Sequence, residues 1–567
     1  MKKKNRWWDR SVGYIIYPST FQDSNGDGIG DLKGIASRLD YLRWLGVDLL
    51  WICPIFASPM DDNGYDVSDY KTINPLFGSN EDFKNLLKEA HARGIRVCVD
   101  FVLNHTSDEH PWFQKALRDP KSEERSYYIF KKGKKKDGQL VPPNNWKGFF
   151  NTSVWTRVGE SEDYYLHIFS VKMPDLNWEN PKLRQKIYEI ARHYLDMGVD
   201  GFRLDALAHL AKEPSFRDSK APLDENGWAY DPSRFSNRPR LYDYLDEFKK
   251  EVLSKYPCLS VGEVGGGISP KGSLRFSDRE KGSIDMVFNF DTAWCNGAFG
   301  SLDRDDAEIK TDVMALKRNF LRWHKACAKQ SDLPFYWCNH DHPRVLSQYG
   351  SLQWRKESGK MLAMILLFLY GTPWIYNGDE IGMSNVDYER PEDFFDDVGN
   401  KNHVMQLRRD GYSEERITNF LRRCSRVNAR TPMQWDGTPM GGFSDKEYKN
   451  RMNRNHLEGV NVEEELKDRD SLLWFFKKAI ALRKRKWVND LVQRGGLRFL
   501  YKKNEDVMAF VHERGGRKLI LLANMRDFPV DLPSFPKSKK VLLHNYKGIS
   551  KQGRKSLRPF EAYLLEA

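Results

Sequence analysis

Eight short apolar runs rich in Val, Ile, Phe and Tyr recur along the chain, at 12–17, 48–56, 95–103, 199–205, 259–263, 284–290, 334–341 and 372–377. Most are separated by longer segments with apolar residues at helical spacing, at 35–45, 81–92, 182–197, 242–256, 309–328, 354–369 and 472–485. Gly46, Gly94, Gly198 and Gly371 stand between such a segment and the next run, where a helix stops in a left-handed turn. This sustained alternation predicts an α/β fold, a (β/α)8 TIM barrel of parallel strands wrapped in helices.

Two departures from the alternation add domains. The third run ends near residue 103 and the fourth begins near 199, far more than one crossover helix needs. Residues 104–177, with Pro, Asn, Trp and other aromatics, therefore read as a small inserted domain of loops and short strands after strand 3. The barrel takes 1–103 and 178–487. Connections 212–240 and 383–429 are also long, project from the same rim and help to wall a pocket. Beyond Trp487 the pattern changes to a period of two, with 506–511 and 518–524 flanking a Gly515-Gly516 turn, so 488–567 is predicted to form a C-terminal antiparallel β-sandwich domain.

A length of 567 residues exceeds what one core usually holds, in keeping with these additions. Apolar residues at 40% and charged residues at 30% exclude a disordered chain. The net charge of +12 is background: the basic run 131–136 lies in a polar, Gly-containing stretch and reads as a solvated loop, with no nucleic-acid module around it. Seven cysteines without CxxC spacing, three of them inside predicted strands (Cys53, Cys98 and Cys338), fit a reducing compartment. The basic N-terminal segment lacks a signal-peptide core and 361–370 is too short to span a bilayer. The expectation is a cytoplasmic protein, monomeric, without membrane or nucleic-acid partners.

Three of the eight runs end directly in Asp or Glu and a fourth is followed within two residues by His105, which places acid–base groups at one rim, where barrels of this type hold their active residues. Asn104 and His105 follow the third run, Arg203 and Asp205 close the fourth, Glu263 closes the fifth, Asn339, His340 and Asp341 close the seventh, and Tyr65 and Asp66 lie just beyond the second. Arg203 and Asp205, two apart on a strand, share one face. In isolation such a pair is more often a structural ion pair than a catalytic one. The alternation of His340 and His342 hints at metal ligands, but no third ligand motif accompanies them.

Seven motif blocks occur in order: DSNGDGIGD at 23–31, DFVLNH at 100–105, MPDLNWEN at 173–180, GFRLD at 201–205, VGE at 261–263, NHD at 339–341 and RTPMQWD at 430–436. Through them, and over essentially its whole length, the chain resembles the α-amylase-like glycoside hydrolases, specifically the oligo-1,6-glucosidase and α-glucosidase branch. Breaking a glycosidic bond through an oxocarbenium-like transition state with retention needs one carboxylate to attack and one carboxylic acid to donate. The resemblance implies Asp205 as nucleophile, Glu263 as acid and later base, and Asp341 as a third carboxylate that binds sugar hydroxyls and stabilises positive charge. Arg203 is then expected to keep Asp205 ionised, and Glu263 to sit in less polar surroundings than Asp205. His105 and His340 are expected to donate to sugar hydroxyls and Tyr65 to stack on the terminal glucose. Asp66 and Arg430 would form the pair that closes the pocket behind the 4-hydroxyl, and Phe169 an apolar wall.

Asp23, Asn25 and Asp27, followed by Gly28, match the first half of an EF-hand loop, but position twelve is Gly34 rather than Glu. Coordination of a structural Ca2+ or Mg2+ would have to finish through the Ile29 carbonyl and Asp31; no organic cofactor is implied. Within the family, Val after the nucleophile is typical of enzymes favouring α-1,6 bonds and Ala of those favouring α-1,4 bonds; here the residue is Ala206. The expected activity is exo-acting, retaining release of glucose from short α-glucosides, with maltose at least as good a substrate as isomaltose. Competing readings are a sucrose or trehalose isomerase or transglucosidase, a trehalose or trehalose-6-phosphate hydrolase, and a non-catalytic transporter-associated barrel. Val264 to Gly267 after the acid, His342 after Asp341, and Val171 with Met173 stand at positions that vary between members.

Overall fold

The computed structural model describes residues 6–265, 267–292, 295, 302, 309–395, 398–448, 451–548 and 555–567. Eight parallel strands form its centre: β1 (Gly13–Ile16), β2 (Leu49–Ile52), β3 (Arg96–Val102), β4 (Gly201–Asp205), β5 (Leu259–Glu263), β6 (Met286–Phe288), β7 (Pro334–Tyr336) and β8 (Thr372–Tyr376). They pair in the order β6-β5-β4-β3-β2-β1-β8-β7. Among the described residues, the remaining edge between β6 and β7 carries only the bridge Met286↔Asp332, so the barrel is nearly closed. With helices outside and packed side chains inside, the strands are buried on both faces, which is why they read as continuous apolar runs.

Most strands are shorter than the runs that announced them. β7 stops at Tyr336 rather than 341, and farther on the Asp341 amide donates to the Asn339 side chain at 2.8 Å, a local turn bond that replaces a ladder bond. Beyond β2, Phe56–Ala57 leaves the barrel to pair with Asp69–Ile73. The helices end as the glycines indicate: Pro181–Met197 at Gly198 (φ 110°) and Leu39–Leu45 at Gly46 (φ 105°). The segment 35–45 is broken at Arg38 into Leu32–Ser37 and Leu39–Leu45.

The inserted segment holds a helix (Pro111–Arg118), a three-stranded antiparallel sheet and the hairpin Lys134–Lys136/Gln139–Val141. The basic run 131–136 is thus largely strand rather than loop, with Lys134–Lys136 wholly exposed. Part of the connection 383–429 folds into two helices that periodicity did not announce, Val398–Arg409 and Glu414–Cys424, around a separate core that includes Phe394, Leu407, Ile417 and Leu421.

After the helix Lys486–Arg494, which lies across residue 488, a five-stranded antiparallel sheet begins at Gly496. Its central hairpin, Val507–Arg514 with Arg517–Asn524, turns through Gly515 (φ 56°) and Gly516 (φ 76°), the geometry of a two-residue hairpin loop. Met508 and Phe510 join the core shared with the barrel, whereas Val507, Ala509 and Val511 face a second small core, the period of two made visible. No helix among the described residues is long and apolar enough to cross a membrane.

Candidate active site

Arg203, in the middle of β4, organises the rim. Its Nη1 donates to Asp100 Oδ1 on β3 at 2.7 Å and to Asp205 Oδ1 at the end of β4, and its Nη2 donates to Glu263 Oε2 at the end of β5. Three adjacent strands therefore bring three carboxylates to one guanidinium, and the register pairs Arg203 directly with Asp100. Trp51 and Tyr65 cover the guanidinium at 5.1 and 5.7 Å from their ring centroids. Their Nε1–H and hydroxyl donate to Asp100 Oδ2 at 2.9 and 3.1 Å, which fixes the anchor itself. Gly262 precedes Glu263 because a Cβ there would stand 2.6 Å from both Ile284 and Leu207, the latter in the turn Leu207–His209 that follows Ala206.

The electrostatics differ from the expectation in one respect. Burial pushes the Asp205 carboxyl well above the usual carboxylate range; Arg203 opposes this, and Glu263 and Asp100 add to it. The Asp205 side chain is also the more buried of the pair, 10% exposed against 23% for Glu263. The less polar surroundings belong to Asp205, not Glu263. Two carboxyls on one cation, one of them raised, form a coupled pair.

Asp341 has a different environment. Its Oδ1 accepts from Arg430 Nη2 at 3.0 Å and Arg426 Nη1 at 3.2 Å, and its Oδ2 lies 3.0 Å from His340 Nε2. Burial raises this carboxyl, but His340, Arg426 and Arg430 outweigh burial and hold it well below the usual range. His340 stacks on Tyr65 at 5.3 Å, and the Tyr65 hydroxyl reaches His340 Nε2 at 2.6 Å. Tyr65 is only 5% exposed, so it is built into the wall more deeply than a free stacking platform.

The pairing of Asp66 with Arg430 is corrected by the structure. Asp66 accepts from the Ser58 hydroxyl and the amides of Asp61 and Asp62 at 2.9, 2.8 and 3.1 Å, closing the turn after β2, and burial raises its carboxyl to about 6. Arg430 lies fully buried behind Asp341 and also donates to the His340 carbonyl at 2.9 Å. The acid–arginine pair that adjoins Asp341 is Asp62 with Arg426, at 2.8 Å. Arg426 reaches Asp341 as well, so one guanidinium links the third carboxylate to the turn after β2.

His105 is buried, with Nε2 bonded to no protein group, and burial together with Lys212 lowers its pKa to about 3, so it is neutral. Phe169 meets it edge-on at 5.2 Å. Ala206 follows Asp205 in the left-handed region (φ 48°). His342 packs between Tyr336 and Phe290 at 5.9 and 6.0 Å, in an aromatic slot. Lys212 passed unnoticed in the sequence. Its buried ammonium donates to Asn104 Oδ1 at 2.8 Å and to the His209 carbonyl, and forms an ion pair with Asp175 Oδ2 at 2.8 Å. A tethered cation thus fills an oxygen cage that ties β3, the inserted segment and the turn after Ala206 together.

The acidic loop after β1 offers hard oxygen donors, but turns them inward. Asp23 accepts from the amides of Asn25, Gly26 and Gly28 at 2.8, 2.8 and 2.9 Å and from the Ser444 hydroxyl at 2.5 Å; Asp27 accepts from the Ile29 amide at 2.8 Å. Asp31 caps the helix Leu32–Ser37 through the Gly34 amide at 2.7 Å and holds Ser24. Asp23, Asn25, Asp27 and the Ile29 carbonyl suit a Ca2+ or Mg2+ ion by type, whereas Asp31 is already engaged. Among the described residues, no three acidic, His or Cys side chains gather as a metal cluster.

The profile of the alpha-amylase catalytic domain matches residues 15–493. The oligo-1,6-glucosidase of Bacillus cereus is 38% identical over 99% of this chain and 100% of its own length. Among solved structures, trehalose-6-phosphate hydrolase from Bacillus licheniformis superposes with TM-score 0.89 at 35% identity, covering 99% of this chain and 100% of that one. Isomaltulose synthase from Klebsiella sp. LX3 superposes with TM-score 0.91 at 34% identity, covering all of both chains.

Proposed function

Because the chain belongs to the alpha-amylase catalytic-domain family, we propose that Asp205, Glu263 and Asp341 carry out retaining hydrolysis of short α-glucosides from the non-reducing end. The protein is a glycoside hydrolase of the oligo-1,6-glucosidase and α-glucosidase kind. One observation carries the assignment of residues: a single guanidinium holds Asp205 and Glu263 from adjacent strands, while Asp341 is held apart by its own cations.

In the first step an Asp205 oxygen bonds to the anomeric carbon as the bond to the leaving oxygen breaks, and Glu263 gives that oxygen its proton. In the second, water attacks the same carbon, Glu263 takes its proton, and the Asp205 ester bond breaks with net retention. Burial works against charge on Asp205; attack needs the carboxylate there, and the Arg203 guanidinium, bonded to both Asp205 and Glu263, stabilises it. Asp341, ionised, faces the positive charge that develops on the sugar. Asp62 and Arg426 close the pocket behind the terminal glucose, the role expected of Asp66 and Arg430. His105, neutral and with a free ring nitrogen, suits a sugar hydroxyl, with Phe169 as its apolar flank.

Ala206 supports α-1,4 cleavage, since a small side chain leaves room beside the scissile bond; initial rates on maltose should equal or exceed those on isomaltose. Gly266, in the variable stretch after the acid, lies outside the described residues. The isomaltulose synthase relative supports a second reading, transfer of the same covalent intermediate to a sugar; the trehalose-6-phosphate hydrolase relative keeps that substrate class in view. Initial rates and products on p-nitrophenyl α-glucoside, maltose, isomaltose, sucrose, trehalose and trehalose 6-phosphate test these readings together. Rearranged disaccharides from sucrose in place of glucose release from maltose would overturn hydrolysis. Seven cysteines standing as thiols support a reducing, cytoplasmic setting. A Ca2+ or Mg2+ ion at Asp23, Asn25, Asp27 and the Ile29 carbonyl would stabilise the first loop without entering the chemistry.

A further inference from the structure

β4 and β8 stand four places apart in an eight-strand barrel, hence on opposite sides of its mouth. The segments that follow them nevertheless touch. Gln406 Nε2, on the helix Val398–Arg409 after β8, donates to Glu225 Oε1 in the connection after β4 at 3.1 Å. Through this contact the two connections form an arch between opposite sides of the rim.

On the β4 side of that arch, a series of rings runs outward from the site. His105 meets Phe169 at 5.2 Å, Phe169 stacks on Phe149 at 5.0 Å, and Phe149 meets Tyr230 edge-on at 6.2 Å. Tyr230 is the outer end of the series and is 50% exposed, one of the few large apolar surfaces left open on the described chain. Its backbone neighbour is tied down: the Ala229 amide donates to the Asn145 carbonyl at 2.7 Å, and the Lys147 amide donates to the Ala229 carbonyl at 2.9 Å. An open phenol ring on a fixed backbone presents a flat apolar face without a large ordering cost on binding, which suits the face of a pyranose.

We propose that Tyr230 contacts the leaving-group side of linear gluco-oligosaccharides, beyond the first leaving-group unit, and so sets the preferred substrate length. Tyr230 is three ring contacts removed from His105, so it leaves the cleaved glucosyl unit untouched. The purely structural alternative is that the ring only shields Phe149. The proposal rests on the exo-acting α-glucosidase reading.

The test is KM and kcat for wild type, Tyr230→Ala and Tyr230→Phe on p-nitrophenyl α-glucoside, maltose, maltotriose and maltotetraose. Tyr230→Ala should raise KM for maltotriose and maltotetraose about three- to ten-fold, with kcat and the p-nitrophenyl glucoside parameters unchanged, and Tyr230→Phe should restore the wild-type KM. A wild type active on these substrates whose Tyr230→Ala variant keeps its maltotriose KM, or changes equally on all four, overturns the proposal alone. A wild type inactive on maltotriose overturns the functional reading and the proposal with it.

Discussion

Acidic side chains crowd two places at the same rim, and they are neutralised in different ways. Around Arg203, carboxylates from β3, β4 and β5 converge on one cation, those of Asp100 and Glu263 from neighbouring strands and that of Asp205 from two residues along β4. In the loop after β1, Asp23 and Asp27 accept backbone amides two to five residues away. Carboxylates satisfied by their own backbone make a turn, whereas carboxylates that share one side-chain cation stay coupled to one another and available to a substrate. Lys212 stands between the two cases: three oxygens from distant segments are closed by a cation that the chain itself supplies.

The largest effect that would break this contrast is on turnover. Asp205→Asn should lower kcat/KM at least about 10^3-fold, since it removes the attacking oxygen; full activity in this variant would dismantle the assignment. Stability should respond with opposite signs at the two kinds of carboxyl. Asp205 is raised when folded, so its contribution is present below the unfolded value of about 3.9 and is lost as pH rises through the folded one. Asp341 is depressed, so its contribution is present above about 3.9 and is lost as pH falls through its folded value. At neutral pH, Asp205→Asn should therefore keep or raise Tm, and Asp341→Asn should lower it. Next in size, Lys212→Met leaves Asp175 buried without its cation and should cost about 3–5 kcal/mol of stability in denaturant titrations. Adding Asp175→Asn should return part of that loss if the cage is what matters.

The barrel was legible because buried parallel strands and Gly-stopped helices leave periodic traces, and Leu259–Glu263 falls where its run lies. The two helices after β8 were not, because they bury a separate small core of their own. At the site, Arg203, Asp205, Glu263 and Asp341 were visible as strand-end residues, but which acid meets which arginine is a tertiary fact. Asp61, Asp62 and Asp66 lie within six residues, and Arg426 precedes Arg430 by one helical turn's spacing, so spacing alone favours no partner. Function separates them. Asp62→Ala should raise KM for p-nitrophenyl α-glucoside about ten-fold or more with little change in Tm, whereas Asp66→Ala should lower stability by about 1–3 kcal/mol through three lost turn bonds. The reverse pattern would restore the original pairing.

The smallest expected effect bears on the loop after β1, where an ion and the backbone compete for the same oxygens. Bound Ca2+ would stabilise the folded state by mass action, so EDTA at neutral pH should lower Tm by no more than a few degrees and added Ca2+ should restore it. Asp23→Ala removes four accepted hydrogen bonds as well as any ion contact. If the amides do most of the closing, its Tm loss should exceed that caused by EDTA, and EDTA should add nothing further in the variant. Equal losses in the two experiments would instead make the ion the principal clamp and bring this loop closer to the Lys212 cage, with a diffusible cation in place of a tethered one. No response to EDTA would leave a turn closed by its own amides alone.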